Sequence, residues 1–279
     1  MKIFNSMMGA LLVVPMVLAG CPGDDSTAET TTDPDTGNTT ATTQDMTTTG
    51  MTSADSSGSS GGPMTDCQDP REIPAAPVDC SGVDGTLDGS AIIEEGGDDP
   101  SILEGIRVVT GSIQLNRTDL TNLDFMACVQ EVGGEVNIYD NDMLTNVDGL
   151  WSLTMIGTHF VFSENSALVD FDGLPNVQVI GTSETAEFAG NLIMKNNDAL
   201  ESISGFHSLV GVNNNLTIQT NPVLTNIDGL GGLRVVGNIL AITANPMLCL
   251  SSVNCVGTGI VMPATPPDSW STQANDPSC

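Results

Sequence analysis

The stretch NDMLTNVDGL, residues 141–150, returns eighty residues later as NPVLTNIDGL, residues 221–230, with seven of ten letters identical. With the leucine at the fourth position as an anchor, equivalent leucines recur at spacings of 24, 24, 32, 24 and 24 residues. The anchors are Leu120, Leu144, Leu168, Leu200, Leu224 and Leu248. A period of 24 residues held over this length is typical of a solenoid, in which each copy forms one coil.

Each copy begins with a short segment in which apolar and polar residues alternate, as in EVNIYDN (135–141) and NLTIQTN (215–221). Apolar side chains at every second position predict a strand with one face turned inward. The inward pairs are Val136/Ile138, Phe160/Phe162, Leu192/Met194, Leu216/Ile218 and Leu240/Ile242. Strands stacked coil on coil would form a parallel sheet, and a second short strand follows in LTMI (153–156), VQVI (177–180) and LRVV (233–236).

An asparagine stands three residues before the anchor leucine in five copies. These residues are Asn141, Asn165, Asn197, Asn221 and Asn245, and Asn116 is assigned the same role in the first copy, with one extra residue. Because a buried amide both donates and accepts, we expect these side chains to bond backbone groups in their own and neighbouring coils. The Asp-Gly pair that follows predicts a turn, so the repeated phrase is a building unit rather than a reaction site.

Two segments carry a family resemblance: VVTGSIQL (108–115) and DLTNLDFMACVQEVGGEVNIYDN (119–141). They resemble the opening of a receptor L domain, the leucine-rich ligand-binding lobe of insulin- and epidermal-growth-factor-type receptors. The resemblance spans about residues 102–255. It implies a right-handed parallel β-helix and carries no signalling function, because no kinase, cysteine-rich module or second lobe accompanies it. The predicted fold is therefore an all-β-rich, leucine-rich-repeat-like solenoid of about six 24-residue coils.

The first twenty residues have the anatomy of a secretory signal: a positive charge at Lys2, an apolar stretch from Ala10 to Ala19, and then Cys21. The apolar run is shorter than the roughly 20 residues that a membrane-spanning helix needs. Leu18 to Cys21 resembles a bacterial lipobox, which implies cleavage before Cys21 and acylation of its thiol. We therefore expect a signal peptide over 1–20 and attachment to a membrane through lipid on Cys21.

The segment 21–66 is rich in Thr, Ser, Asp and Gly, and between Pro22 and Thr65 it contains no Val, Ile, Leu, Phe, Tyr, Trp, Lys or Arg. Such a composition cannot bury enough apolar surface to offset the entropy of ordering, which predicts a disordered tether. The whole chain has 35 acidic and 6 basic residues, a net charge of −29. This balance argues against nucleic acid as a partner, because phosphate binding needs clustered Lys and Arg.

Seven cysteines fit an exported chain. With Cys21 assigned to lipid, an even number remains, which predicts three disulfides among Cys67, Cys80, Cys128, Cys249, Cys255 and Cys279. Cys249 with Cys255 is the favoured local pair. Cys67 and Cys80 are expected to brace an N-terminal cap, either with each other or through Cys128. No C-x-x-C spacing occurs, which disfavours a zinc site.

Residues with catalytic potential are few. His159 and His207 are the only histidines, and neither falls in a motif with a nucleophile or a metal ligand. The carboxylates that could pair for glycoside chemistry are explained by corners of the repeat. We therefore predict no catalytic residue, no metal and no cofactor. A polysaccharide-active β-helix enzyme stays open as an alternative.

Two features break the repeat and are candidates for ligand contact. The 32-residue copy carries an insertion, TSETAEFA (182–189), in which Phe188 either is an exposed anchor or folds back onto its coil. The outward side of the strands carries Tyr139, the only tyrosine, and Lys195. A mixed stripe of this kind is a recognition surface or simply a solvated sheet face.

The predicted organisation places an N-terminal cap at 67–101, the repeats at 102–248 and a cysteine-containing C-terminal cap at 249–279, with Trp270 covering the last coil. The predicted role is a lipid-anchored binding or adhesion module for an unknown protein or glycan. A purely structural envelope protein is the alternative. The expected location is the bacterial cell envelope, at the outer membrane and exposed on the cell surface.

Overall fold

The computed structural model describes residues 75–183, 190–262 and 270–279. Within these ranges the strands are Gly85–Leu87 (β1), Ala91–Ile93 (β2), Ile106–Val109 (β3), Ile113–Asn116 (β4), Glu131–Val132 (β5), Val136–Tyr139 (β6), Met155–Ile156 (β7), Phe160–Ser163 (β8), Asp170–Phe171 (β9), Val179–Ile180 (β10), Leu192–Lys195 (β11), Ser202–Ile203 (β12), Gly211–Val212 (β13), Leu216–Gln219 (β14), Val235–Val236 (β15), Leu240–Thr243 (β16) and Trp270–Ser271 (β17). The helices are one α-helix, Leu250–Gly259 (α1), and the 3-10 turns Pro100–Leu103, Asp124–Met126, Asp148–Leu150 and Asp228–Leu230.

The strands form three parallel sheets that run along the stack of coils. Sheet A has the order β1-β3-β5-β7-β10-β13-β15, sheet B has the order β2-β4-β6-β8-β11-β14-β16-β17, and sheet C pairs β9 with β12. Each coil contributes one strand to sheet A and the next to sheet B, so neighbouring strands come from neighbouring coils. The chain is thus a β-solenoid of about six turns with a spacing of about 24 residues, which confirms the predicted fold class.

Register in sheet B keeps like with like along the stack. Leu192 lies opposite Phe160 on one side and Leu216 on the other, and Met194 lies opposite Phe162 and Ile218. All of these inward side chains are fully buried. Because side chains of a strand alternate between its two faces, the same register also lines up the outward residues.

Four phenylalanines form a cluster of rings in the core. The ring of Phe171 lies 5.7 Å from that of Phe160, 5.2 Å from that of Phe162 and 5.2 Å from that of Phe206, measured between centroids. All four rings are fully buried. They belong to the coils on either side of the 182–189 insertion, so the longest repeat coincides with the largest core side chains.

The Asn-x-Asp-Gly-Leu corner has a local explanation. The side chain of Asn146 accepts the backbone N–H of Asp148 at 2.8 Å, which starts the 3-10 turn over Asp148–Leu150. A Cβ atom at Gly149 would overlap the carbonyl oxygen of Leu123 in the preceding coil, so only glycine allows the coils to approach this closely.

The asparagine column runs through the whole stack at the point where each chain leaves sheet B. Its members are Asn141, Asn165, Asn197, Asn221, Asn245 and Asn275. The backbone N–H of each of the first five donates to the side-chain oxygen of the next, at 3.0–3.2 Å. Each side-chain amide donates to a strand carbonyl one coil back; that of Asn221, for example, reaches Met194 at 3.3 Å. The residue before each asparagine has positive φ, between 56° and 60°.

The first coil differs from the sequence-based alignment. Asn116 pairs with Tyr139 inside sheet B and is not a member of the column. Thr118 holds that place instead, because both its backbone N–H and its hydroxyl donate to Asn141 Oδ1, at 3.0 and 2.7 Å. The assignment of Asn116 was therefore wrong. In the other coils the residue with positive φ directly precedes the column position; here that residue is Arg117, so Thr118 takes the column position.

Both ends of the solenoid are closed. At the N-terminal edge, Asp98 accepts the N–H of Ile92 through its side chain at 2.8 Å and donates its own N–H to Ile92 O at 2.7 Å. These bonds occupy the polar groups of Ile92 on the open side of β2 and block further strand pairing there. At the C-terminal end, the chain leaves through α1 and returns as β17, which pairs with β16.

Two disulfides brace these caps. Cys80 is bonded to Cys128 and Cys249 is bonded to Cys279. The expected pair of Cys249 with Cys255 was wrong, because the returning segment brings Asp276 beside Leu248 and Leu250 by backbone hydrogen bonds and so delivers Cys279 to Cys249. Cys255 is also disulfide-bonded. Cys67 lies outside the described residues.

Candidate functional site

The outer face of sheet B consists of two files of residues, each running along the stack. The first file is Ile92, Gln114, Asn137, Val161, Ile193, Thr217, Ala241 and Ser271, and the second is Asn116, Tyr139, Ser163, Lys195, Gln219 and Thr243. Both files mix aliphatic, amide, hydroxyl and other polar or charged side chains from coil to coil, whereas the inward files are apolar throughout. The outer face is therefore the part of the sheet that the repeat leaves free to vary.

Tyr139 is held on the outer face by charged neighbours. Its hydroxyl donates to Glu164 Oε2 at 3.0 Å, and the guanidinium carbon of Arg117 lies 5.5 Å from the ring centroid. Arg117 Nε donates to Asp140 Oδ2 at 3.1 Å. This bond to Asp140, with a further contribution from Tyr139, raises the pKa of Arg117 above its ordinary value. Tyr139 thus presents a fixed ring edge rather than a free phenol.

Lys195 lies in the same file as Tyr139, two strands away. Ser163 separates them in register and is only 2% exposed, so the flanking side chains cover it. Lys195 is exposed and, among the described residues, forms no ion pair. Val161 and Ile193 lie beside it in the first file and are half-buried. The centre of the outer face therefore combines a small apolar strip with one tyrosine and one lysine.

Two of the predicted site residues cannot be located on the structure. Phe188, in the insertion, and the lipidation candidate Cys21 lie outside the described residues. Of the three candidate ligand contacts, the structure therefore brings together Tyr139 and Lys195 only.

The two histidines have structural partners. The Nδ1 atom of His159 accepts the backbone N–H of Asn191 at 3.3 Å. His207 has its Nδ1 atom 3.3 Å from Gly205 O. The two rings belong to different corners of the coil, and neither meets a hydroxyl or thiol nucleophile among the residues that the structure describes.

A column of carboxylates follows the Asp-Gly corners. Partial burial raises the pKa of Asp172 above its ordinary value, the negative charge of Asp148 and then that of Asp170 add to the effect, and His207 opposes it. Asp170 itself accepts the hydroxyl of Ser204 at 3.0 Å. The column thus holds like charges one coil apart. The described residues contain no group of three or more His, Cys, Asp or Glu side chains suited to a metal ion.

A cleft of about 730 Å³ that sequence reasoning missed lies between the N-terminal cap and the corners of the second and third coils. It is lined by Ala76, Val78, Asp79, Cys80, Ser81, Gln130, Trp151, Ser152, Thr154 and Asn176. We call it the Trp151 cleft. Its one sequence signal is that Trp151 replaces the small or polar residue that follows the corner in other coils.

No family model matches the chain, and no curated protein or solved structure shows significant similarity to it. Within the described ranges, no helix has the length and apolar character that crossing a membrane requires.

Proposed function

We propose that the chain is a lipoprotein of the bacterial cell envelope, anchored through Cys21, that displays the β-solenoid as a non-catalytic binding or adhesion module. The leader, the lipobox-like ending and the Thr/Ser-rich segment 21–66 support the anchor. The observation that carries the binding role is the outer face of sheet B, where aliphatic, aromatic, amide, hydroxyl and charged side chains succeed one another from coil to coil, although every inward file is apolar throughout.

The geometry of this face favours recognition over chemistry. Parallel strands lie about 4.8 Å apart, so Tyr139 and Lys195 are separated by roughly 10 Å along their file. Val161 and Ile193 offer apolar area beside them, and Gln219 and Thr217 continue the face with hydroxyl and amide groups. A flat surface of this kind suits an extended partner that contacts several coils at once.

The anchoring part of the proposal is tested by protease shaving of intact cells, with the released peptides identified by mass spectrometry. We expect release of peptides from residues 75–279 in intact cells, with a periplasmic protein as the protected control. The variant Cys21→Ser should shift the chain from the membrane fraction to the soluble fraction. Protection of the chain until the outer membrane is opened would contradict surface display.

The binding part is tested by attachment of cells to each other and to a surface. The double variant Ile193→Asp with Lys195→Glu should lower attachment to the level of a deletion strain, because it reverses the charge and removes the apolar strip. Val210→Asp is the matched control, since Val210 is 44% exposed and lies outside sheet B. Attachment unchanged by the double variant would count against the outer face as the binding surface.

A further inference from the structure

Trp151 is an exception to the repeat that the fold does not require. It directly follows the 3-10 turn Asp148–Leu150, and its backbone N–H closes that turn on Asp148 O at 3.0 Å. The residues in this position in other coils are Ala127, Pro175, His207 and Gly231. Coils therefore form with small, rigid or polar residues here, and an aromatic ring adds nothing that the turn needs.

The indole N–H of Trp151 also lacks a hydrogen-bond acceptor among the described residues, although its Nε1 atom is enclosed. A buried donor without a partner is unfavourable for the folded state, so the indole stands here at a cost that the turn itself does not explain. The ring itself is half-buried and forms one wall of the Trp151 cleft, so part of it remains accessible.

Around the ring lie polar groups with bonding capacity to spare. Asn176 donates its amide to Trp151 O at 2.8 Å, which leaves its Oδ1 as an acceptor. Gln130 accepts Arg107 Nε through its Oε1 at 2.8 Å, which leaves its amide N–H groups as donors. The carboxylate of Asp79 accepts the N–H of Ser81 at 2.9 Å and is exposed, so it can accept further hydrogen bonds from the cleft. The cleft thus offers donors and acceptors beside an apolar surface.

We infer that the Trp151 cleft binds an uncharged saccharide, with one pyranose ring packed on the indole and its hydroxyls bonded to Asn176, Gln130 and Asp79. A sugar ring has an apolar C–H face and a rim of hydroxyls that each donate and accept, which is the complement of this lining. The volume of about 730 Å³ lies within the range of small-molecule sites. The inference goes beyond the proposed binding role, because the Trp151 cleft shares none of its lining residues with the outer face of sheet B.

Charge selects against the other ligand classes. An anionic glycan would meet Asp79 and a chain with a net charge of −29. A cationic group would be attracted by Asp79 and the ring face, but Arg107 stands beside Gln130 and opposes it. A neutral saccharide bound by hydrogen bonds and ring packing should therefore bind equally well at low and moderate salt.

The test uses the full chain in detergent and an array of neutral oligosaccharides built from glucose, galactose, mannose or N-acetylglucosamine. The strongest binder is then titrated by calorimetry at two salt concentrations. We expect a dissociation constant below about 1 mM. The variant Trp151→Ala should weaken binding by about tenfold or more, and Asn176→Ala by about threefold to tenfold. The variant Lys195→Ala, on the outer face of sheet B, should bind like the wild type.

Asp79→Ala and Gln130→Ala keep the test decisive if Trp151→Ala does not fold, because Asp79 is exposed and both side chains lie outside the core. Each should weaken binding by at least about twofold without changing the thermal melt. The inference is overturned if no oligosaccharide binds, if these variants bind as the wild type does, or if affinity falls steeply as salt rises. A chain that supports attachment through sheet B but binds no saccharide overturns this inference and leaves the proposed function standing.

Discussion

The asparagine column and the outer face of sheet B run side by side along the same coils, yet they obey opposite rules. In the column the same residue recurs from Asn141 to Asn275, every side chain is buried, and each amide is bonded on both sides. On the outer face, residue type changes with each coil, as in the succession of Tyr139, Ser163 and Lys195. The two regions have the same regular backbone geometry, but only the column restricts the residue type at each position.

This difference separates structure from function within one repeat. A column position bonds to the coil before and the coil after, so any replacement leaves polar groups in two coils without partners. An outward position touches neighbours only through its side chain, so replacement costs little and binding can select the residue. Trp151 belongs with the outward positions, because it departs from the residues that the other coils use at that corner.

The largest effect is expected where the column ends. The double variant Cys249→Ser with Cys279→Ser removes a bridge across a sequence separation of 30 residues, and should lower the free energy of unfolding by about 2–4 kcal/mol. Asn275 would then lose its fixed place as the last acceptor. Urea unfolding under non-reducing conditions measures the change. An unaltered midpoint would show that the C-terminal cap holds without the bridge.

A single break inside the column should cost less. Asn221→Ala removes the acceptor of the Asn197 N–H and the donor to Met194 O, so we expect a loss of about 1–3 kcal/mol. Asn238→Ala is the matched control, because Asn238 is exposed and, within the part of the chain that the structure describes, its side chain bonds only Asn215 Oδ1. Its cost should stay below about 0.5 kcal/mol. Equal losses for the two variants in urea unfolding would remove the distinction between column and surface.

Asp172→Asn should raise the free energy of unfolding, whereas the variants above lower it. The pKa of Asp172 is raised in the folded state, so its ionised form destabilises the fold at every pH above the folded pKa, and this cost vanishes below the unfolded value. The variant should therefore gain up to about 0.5 kcal/mol at pH 7, a figure kept small because solvent screens the charges. The gain should disappear near pH 3. Asp198→Asn, at an exposed carboxylate, is the control, and equal gains for both would point to net charge instead.

The smallest effect is expected on the outer face. Lys195→Ala should change the free energy of unfolding by less than about 0.5 kcal/mol, because Lys195 is exposed and contributes no core contact. Thermal melting compares it directly with Asn197→Ala, two positions along the chain and fully buried. A destabilisation by Lys195→Ala as large as that by Asn197→Ala would mean that the outer face also holds the coils together.

The solenoid could be predicted because its signals repeat. The alternation of Val136 and Ile138, renewed every 24 residues, has one structural meaning, and the same holds for the asparagine that follows each strand. Where one copy departed from the period, the prediction failed: Asn116 was aligned by its letter, whereas Thr118 bonds in the column.

The caps and the cleft depend on long-range contacts that the repeat pattern does not predict. Asn275 joins the column only because the chain returns after α1 and pairs as β17, and the same return brings Cys279 rather than Cys255 to Cys249. The Trp151 cleft needs the N-terminal cap to lie against the corners of two coils, a packing that neighbouring residues in the sequence do not encode. Long-range packing of non-repeating segments was therefore what the sequence left open.

The central claim is that the asparagine column carries the link between coils, and amide hydrogen exchange of the Asn221→Ala variant tests it most directly. In the wild type the Asn197 N–H donates to Asn221 Oδ1 at 3.1 Å and should exchange slowly. In the variant this amide should lose much of its protection, while the Asn165 N–H, which donates to Asn197 Oδ1 at 3.1 Å, keeps its own. Unchanged protection at Asn197 would contradict the account, because the coils would then be held by the sheets alone.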